Sequence, residues 1–223
     1  MKILHAVTIR AAVFAAAVGM AGMAAGAEPQ EVVDNATQAI KDMGADPKMA
    51  WFRENVMTSK GVVVIPKYGK GALVIGGAGG RGVAMTRGGR SWSHPAFVTL
   101  SALSLGLQAG GEGGELMLLI MSKKGYDAIL KNKFELGADA SVAAGPATAG
   151  ARTPVADILV FSRTKGIFGG LTVEGAKLAM NEDWNREYYK NEKVQPVDIL
   201  VTRNQVNNAA ESLRVTMAAV GGR

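Results

Sequence analysis

The spacing of apolar residues predicts two helices near the start of the chain. From Pro29 to Met43 apolar residues recur every three or four positions, and Gly44 is a suitable C-terminal stop. A second helix is predicted over residues 46–60, with Asp46 as its N-cap and Pro47 in its first position. This second helix combines an apolar stripe with aromatic and basic residues.

After residue 60 the pattern changes to short runs of β-branched and apolar residues. Lys67-Tyr68-Gly69-Lys70 between two such runs is typical of a hairpin turn. Helices are predicted over Ser122–Asn132 and from Thr202, where Thr202-Arg203-Asn204-Gln205 has the form of a capping box. Residues Ala143–Pro154 read as a loop. The predicted strands are Gly61–Pro66, Gly71–Gly76, Arg81–Arg87, Ala96–Leu105, Glu115–Met121 and Ile158–Ser162, with further β-like texture over Gly166–Met180.

Together these elements predict an α+β fold. We expect a single compact domain with a mainly antiparallel, Gly-rich sheet flanked by N-terminal and C-terminal helices. The predicted segments are a signal peptide over 1–27, a helical lead-in over 28–59, a β-rich core over 60–190 and a C-terminal helical segment over 191–223.

One glycine pattern needs a specific interpretation. Gly77–Gly82 matches the G-x-G-x-x-G spacing of dinucleotide-binding turns, but 29 of the 223 residues are glycine, so chance matches are common. A phosphate-binding turn must lead directly into a helix and be followed about 20 residues later by an acidic residue. Neither feature is present after Gly82. In Arg81–Arg87 the alternation leaves a face of very small residues, so we predict that the glycines serve turns, bulges and tight sheet packing.

The first residues have the pattern of a secretory signal peptide. A basic start with Lys2 and Arg10 precedes an alanine-rich apolar stretch and an A-x-A site ending at Ala27. We therefore expect the mature protein to begin at Glu28 and to be exported, to the periplasm or the medium. The chain has no cysteine, which excludes disulfides and thiol chemistry.

The net charge favours an anionic partner. The formal charge is +6 and stays positive without Lys2 and Arg10. Outside the cytoplasm the available anionic surface is phospholipid or lipopolysaccharide, so no nucleic-acid partner is expected.

The helix over 46–60 admits two roles: its apolar stripe docks on the sheet, or its rings and cations enter a lipid interface. The two roles are compatible if Trp51 and Phe52 face opposite ways.

Catalysis has little support in the sequence. After the predicted signal peptide His94 is the single histidine, and a structural hydrogen bond suits it better than a role as triad base. Asp139, between two alanines, is predicted to cap a turn. An enzymatic function resting on these two residues ranks last, and no catalytic residue, metal site or cofactor is predicted.

Several sequence blocks, in order, resemble the SYLF lipid-binding domain family. The similarity extends from about Ala50 to Tyr189. The blocks are KGVVVIPK at 60–67, WSHPAF at 92–97, GLQAG at 106–110, FELGADASVAAGP at 134–146, FSRTKGIFGG at 161–170 and NREYY at 185–189.

The resemblance implies a lipid-binding module without enzymatic activity. Eukaryotic members bind phosphoinositides, and some bind actin filaments, so an actin partner is expected here by family analogy only. Because the predicted export removes the chain from both ligands, we expect the ligand class, an anionic phospholipid or membrane surface, to carry over. The alternative is a cell-envelope scaffold that binds a protein through its sheet and Gly-rich loops. The implied lipid-binding residues are Lys48, Trp51, Phe52, Arg53, Lys60, Lys67 and Lys70.

Overall fold

The computed structural model describes residues 28–70, 78–89, 91–102, 114–145, 155–164, 167–169 and 173–220. The predicted signal peptide and the predicted strand Gly71–Gly76 lie outside these residues. The strands are β1 (Gly61–Lys70), β2 (Ala78–Gly88), β3 (Ser91–Trp92), β4 (Ala96–Ala102), β5 (Gly114–Ile120), β6 (Lys133–Glu135), β7 (Val142–Ala144), β8 (Ile158–Thr164), β9 (Ile167–Gly169) and β10 (Lys177–Met180). The α-helices are α1 (Pro29–Ala45), α2 (Ala50–Val56), α3 (Lys123–Ile129), α4 (Glu182–Tyr189), α5 (Pro196–Leu200) and α6 (Glu211–Val220), with 3₁₀ turns at Pro47–Met49 and Asn208–Ala210.

These strands form one curled sheet. Its order is β6-β10-β4-β2-β1-β5-β8-β7, with β3 paired to β2 and β9 paired to β8. Among the described pairings between these strands, only that of β7 with β8 is parallel. The two end strands β6 and β7 are consecutive in the chain and joined by residues 136–141. Because a segment of that length spans at most roughly 20 Å, the two ends of the sheet must lie near each other. The predicted α+β class with a mainly antiparallel sheet is confirmed.

The curled sheet has a core on each face. The outer face is covered by α1, α2 and α6, and its cluster includes Val62 and Val64 of β1. The inner face encloses a second cluster that includes Val63 and Ile65, together with α3 residues such as Ile129. Strand β1 thus alternates its side chains between two apolar environments, which explains its continuous run of β-branched residues.

Strand β1 lies in the middle of the sheet although it contains Pro66. A proline cannot donate a ladder hydrogen bond, so within a central strand it requires an irregularity. The register of β1 gains one residue between Ile65 and Tyr68 relative to β5, and shifts over the same stretch relative to β2. This β-bulge accommodates Pro66. It also corrects the predicted turn at Lys67–Lys70, which is the continuation of β1.

Two glycines of β2 allow β1 to approach closely. A Cβ atom added to Gly82 would lie 2.1 Å from the carbonyl oxygen of Val64, and one added to Gly80 would lie 2.3 Å from that of Lys67. Both distances are far below contact distance, so only glycine fits. The predicted role of these glycines in tight sheet packing is confirmed, and the described part of the G-x-G-x-x-G stretch is strand rather than a phosphate-binding turn.

Asp157 connects three segments by hydrogen bonds at one end of the sheet. Its carboxylate accepts hydrogen bonds from the Ser122 hydroxyl, which also caps α3, and from the Ser141 amide at 2.9 Å and hydroxyl at 2.8 Å. These hydrogen bonds, led by that of Ser122, and the nearby Lys124 hold the pKa of Asp157 below its ordinary value. The residue therefore joins the start of α3, the approach to β7 and the start of β8.

Arg163 fixes α1 over the outer face. From β8 its guanidinium donates to Glu115 of β5 at 2.6 and 2.7 Å and to Asp42 of α1 at 2.8 Å. The hydrogen bond to Glu115, with that to Asp42, raises the pKa of Arg163. One half-buried cation thus connects a helix and two strands that are far apart in sequence.

Two helical predictions need correction. The helix predicted over 46–60 is a 3₁₀ turn followed by α2, which ends at Val56, although Asp46 does accept the predicted capping bond from the Lys48 amide at 2.7 Å. The capping box at Thr202 does not form, because Arg203 is left-handed (φ 57°) and the Thr202 hydroxyl donates to a carbonyl of α5. Asn207 instead caps the 3₁₀ turn Asn208–Ala210 that leads into α6, because its side chain accepts a hydrogen bond from the Ala209 amide at 3.0 Å.

Two further elements differ from the prediction. Helix α5, which the sequence patterns did not indicate, begins with a capping box between Gln195 and Asp198. The start of the loop predicted over Ala143–Pro154 is strand, since Ala143 and Ala144 belong to β7. Residues 146–154 lie outside the described part of the chain.

We predict that Gly82→Ala lowers the free energy of unfolding by about 1–3 kcal/mol, because the new methyl group must push β1 and β2 apart. Denaturant unfolding followed by circular dichroism measures the change. Gly88→Ala in the same strand is the matched control: its methyl meets the guanidinium of Arg203, which is the far end of a flexible side chain and can move away. An equal effect of the two substitutions would contradict the close approach at Gly82.

We predict that Asp157→Asn destabilises the fold by about 1–2 kcal/mol at pH 7 through loss of charge-assisted hydrogen bonds. Because the pKa of Asp157 is lower in the folded chain than in the unfolded chain, its contribution is complete above about pH 4 and is lost as the pH falls further. The difference in stability between the two proteins should therefore narrow as the pH falls from about 7 to about 3. A difference independent of pH would show that the carboxylate charge is not responsible.

Candidate functional site

The two aromatic residues of the implied lipid site lie in the core. Trp51 is 2% exposed and Phe52 is fully buried. Each ring packs on Phe161 of β8 at a centroid distance of 5.6 Å. Of the two roles open to this helix, docking on the sheet is the one these rings perform in the structure. The arrangement that would make the two roles compatible, with the rings facing opposite ways, is not observed, because both rings are buried against Phe161.

Most of the implied basic residues are dispersed over the surface. Arg53 donates to the carbonyl oxygens of Gly44 at 3.3 Å and Asp46 at 2.6 Å, so it caps the end of α1. Lys67 pairs with Glu31 at 3.1 Å, and this contact lowers the pKa of Glu31. Lys48 is exposed in the 3₁₀ turn. Lys70 ends β1, and its side chain lies outside what the structure describes.

Lys60 occupies a different environment, because it lines a cavity with other charged residues. The main-chain amide of Arg87 donates to the carbonyl oxygen of Lys60 at 2.9 Å. The main-chain amide of Lys60 donates to the carbonyl oxygen of Ile120 at 2.7 Å. The start of β1, the end of β2 and the end of β5 therefore meet here, and α3 follows directly from β5. We call the resulting concavity the cationic cavity. It measures about 470 Å³ and is lined by Lys60, Arg87, Lys123, Tyr126 and Asp127.

The guanidinium of Arg87 is held in place at this cavity. Its Nε donates to the carbonyl of Ser59 at 2.9 Å and its Nη1 to that of Gly89 at 2.6 Å. Gly89 has a φ of 64°, a left-handed conformation that favours glycine. The Nη2 group makes no hydrogen bond to the described part of the chain. Arg87 therefore presents an unused donor edge from a fixed side chain.

The remaining lining residues come from α3 and differ in their pairing. Lys123 and Asp127 form an exposed i,i+4 ion pair at 2.6 Å, of a kind that is weak in water. The Lys60 ammonium and the Tyr126 hydroxyl make no hydrogen bond within the described residues. The cavity thus offers three cations, a phenol and one carboxylate from three elements. Such an arrangement can bind a phosphate or another anion by charge-assisted hydrogen bonds.

The residues considered for catalysis have structural partners. His94 is buried, which lowers its pKa, and its Nδ1 accepts a hydrogen bond from the Asn207 amide at 3.5 Å. Asp139 accepts from the Glu135 amide at 2.7 Å, consistent with its predicted role in a turn. Among the described residues no three metal-ligating side chains cluster, and no helix is both long and apolar enough to cross a bilayer.

The family resemblance implied a role for Lys60 but for none of the other cavity residues. The signal was present in the strand pairing. Because β1 pairs with β2 and β5 in antiparallel register, Gly61 lies opposite Thr86 and Ile120. The residues just beyond these pairs must then come together at one end of the sheet. The strand register therefore gathers Lys60, Arg87 and the start of α3 at one end of the curled sheet.

Comparison with known proteins identifies the family. Residues 101–220 match the family model Ysc84, described as "Las17-binding protein actin regulator". The match covers more than half of the chain, which therefore belongs to the Ysc84 family. The resemblance to the SYLF domain is thereby confirmed.

Curated relatives share this region within longer chains. An SH3 domain-containing protein of Schizosaccharomyces pombe, PJ696.02, is 30% identical over 145 residues, which are 61% of this chain and 34% of that protein. Protein YSC84 of Saccharomyces cerevisiae is 28% identical over 163 residues, 70% of this chain and 35% of the yeast protein. The human SH3 domain-containing YSC84-like protein 1 is 26% identical over 152 residues, 65% and 44% of the two chains. The chain thus spans about a third to a half of these relatives.

We predict that Trp51→Ala lowers the free energy of unfolding by about 3–5 kcal/mol, because it leaves a large cavity beside Phe161. Thermal unfolding measures this loss. Vesicle binding by the fraction that remains folded should be unchanged, since the ring is buried. Normal stability combined with weaker vesicle binding would instead place Trp51 in a lipid contact.

Proposed function

We propose that this protein is a non-enzymatic, exported protein that binds anionic phospholipid headgroups at a membrane surface. The observation that carries the proposal is the convergence of Lys60, Arg87 and Lys123 on one cavity. Near an anionic surface each cation contributes about 1 kcal/mol, so three together support weak, salt-sensitive attachment. The contact is electrostatic, because Trp51 and Phe52 are committed to the core.

Membership of the Ysc84 family supports a binding function of this general kind. The exported location rests on the sequence pattern of residues 1–27 and is part of the proposal. The identity of the surface is also part of the proposal, and phospholipid and lipopolysaccharide are the anionic materials available there. Actin binding is retained as an analogy with the family description, and it is relevant only where the protein meets actin.

Binding to a protein partner, as an envelope scaffold, is the second candidate function. The family description names a protein partner, and the C-terminal region exposes several apolar side chains. Val197 is 46%, Val201 42%, Val206 63% and Val215 57% exposed. The Gly-rich part of β2 is a poorer candidate than expected, because Gly80 and Gly82 face the main chain of β1.

We predict that the purified protein co-sediments with vesicles containing phosphatidylglycerol and not with neutral phosphatidylcholine vesicles. Because the attraction is between exposed charges, binding should fade as the salt concentration rises from about 0.05 M to about 0.5 M, where screening limits the interaction to a few ångströms. The double variant Lys60→Glu, Lys123→Glu should lose more than about tenfold in affinity.

The control for this experiment is Lys41→Glu, Lys193→Glu, which changes the charge equally at two exposed lysines that do not line the cavity. Equal losses for both double variants would assign binding to net charge rather than to the cavity. Failure to bind any vesicle, together with capture by envelope proteins, would favour the scaffold function.

A further inference from the structure

The connection between α5 and α6 is held to the rest of the fold by hydrogen bonds more than by packing. We call residues 201–210 the C-terminal strap. Residues 201–209 include no buried side chain, and Val201 and Val206 are 42% and 63% exposed. A segment with few buried apolar contacts opens more readily than the body of a domain. The position of the C-terminal strap therefore depends on individual polar contacts.

Several of these contacts are insensitive to pH. Arg203 of the strap donates to the carbonyl oxygen of Thr86 at 3.1 Å and to the hydroxyl of Ser91 at 3.2 Å. The side-chain amide of Asn207 donates to the carbonyl oxygen of Tyr188 at 2.8 Å. A guanidinium stays charged and an amide stays neutral between about pH 5 and pH 8, so mild acid leaves these contacts unchanged.

His94 contacts the strap through a group that acid does change. Its side chain is 6% exposed, and its Nδ1 accepts a hydrogen bond from the main-chain amide of Asn207 at 3.5 Å. Because Nδ1 is an acceptor, the imidazole must be neutral and carry its proton on Nε2. Protonation puts a second N–H group on Nδ1, opposite the N–H group of Asn207. The acceptor is then lost, and two donors face each other.

The surroundings of His94 oppose its protonation. Within the described residues, the charges that act on the imidazole come from Arg214 and Glu211 of α6, which pair with each other at 2.6 Å. From α4, the Tyr189 hydroxyl donates to the carbonyl oxygen of Pro95 at 2.7 Å, and burial raises the pKa of this phenol, which therefore stays neutral. Burial, and after it the charge of Arg214, lowers the pKa of His94, while Glu211 acts in the opposite direction.

We propose that His94 is a pH-sensitive latch, which holds the C-terminal strap in place at neutral pH and releases it in mild acid. Release exposes the imidazole to water, where its pKa returns to about 6.5. Because the pKa is lower while the strap is bound, the latch holds fully above about pH 6.5 and weakens as the pH falls towards that lower value. Release also frees Thr86 and Ser91, and with them the hairpin that carries Arg87 of the cationic cavity.

Nuclear magnetic resonance of the purified, isotope-labelled protein tests this proposal. Long-range proton–nitrogen correlations of the imidazole report its tautomer and its pKa, and amide exchange reports the opening of the strap. At neutral pH we expect the Nε2–H tautomer of His94. Below about pH 6.5 we expect the protection of the Asn207 amide, corrected for the intrinsic exchange rate, to fall by up to about tenfold per pH unit. Amides of β1 and β5 should keep their protection over the same range.

Two variants locate the effect at His94. His94→Asn places an amide oxygen near the position of Nδ1 and does not titrate, so its strap should keep the same protection from about pH 7.5 to about pH 5. The loss of one imidazole signal in this variant also identifies the signal of His94. Gln205→Ala is the control, because it removes the strap's hydrogen bond of 3.2 Å from Asn191 without changing a titratable group. It should lower the protection of the Asn207 amide by roughly twofold to tenfold at every pH and leave the pH dependence unchanged.

The proposal is overturned by any of three results: an Nδ1–H tautomer at neutral pH, a pKa of His94 at or above its ordinary value, or a strap that still loses protection in acid in His94→Asn. Equal loss of protection in β1 would also overturn it, because the acid effect would then be global unfolding. If His94→Asn does not fold, the tautomer and pKa measured on the unaltered chain still decide. None of these measurements uses a lipid, so they are independent of the proposed membrane function.

Discussion

The pairing of β1 on both sides is the constraint on which the rest of the structure depends. Residues Gly61–Pro66 are buried throughout, and their main-chain groups cannot reach water. A buried amide or carbonyl without a partner is costly, so β1 needs β2 and β5 as neighbours along this stretch. The glycines of β2 bring one neighbour close enough, and the bulge resolves the single position, Pro66, that cannot donate. Both cores and the junction beneath the cationic cavity follow from this arrangement.

The apolar outer face of the sheet explains why the aromatic residues of α2 are buried while the basic residues near it are not. The outer face of the sheet offers an apolar surface that includes Phe161, and the rings of Trp51 and Phe52 both pack against Phe161. Charged groups cannot enter such a core without a large desolvation cost, so Lys48 and Arg53 stay at its margin. Burial of the rings thus leaves electrostatics as the means by which this region can contact a membrane.

The sequence predicted the regular elements better than their connections. The apolar pattern predicted five of the longer strands, because burial imposes a clear pattern on strands. These strands are β1, β2, β4, β5 and β8. The continuation of β1 through Lys67–Lys70 was missed, because Pro and Gly favour turns locally while the pairing with β2 and β5 decides the outcome. Likewise the Thr202 capping box has correct local chemistry, but the left-handed Arg203 belongs to the end of α5.

The candidate site was harder to predict for a related reason. Lys60 stood out within a basic segment, whereas Arg87 and Lys123 are remote from it in sequence. They meet Lys60 only through the register of two antiparallel strand pairs, which hydrophobic patterns do not specify once a bulge is present. The rings of Trp51 and Phe52 posed the opposite problem, since an amphipathic pattern does not distinguish docking on a sheet from docking on a lipid surface.

The short strands at the two ends of the sheet bear on how this protein behaves at high concentration. β6 and β7 each contain three residues, and the chain joins them directly. An exposed edge is where a second molecule adds its own strand, and short edges offer few unpaired main-chain groups for this purpose. Among the described strands, these two ends of the sheet therefore give little opportunity for edge-to-edge aggregation, even though the central strands are among the most apolar parts of the chain.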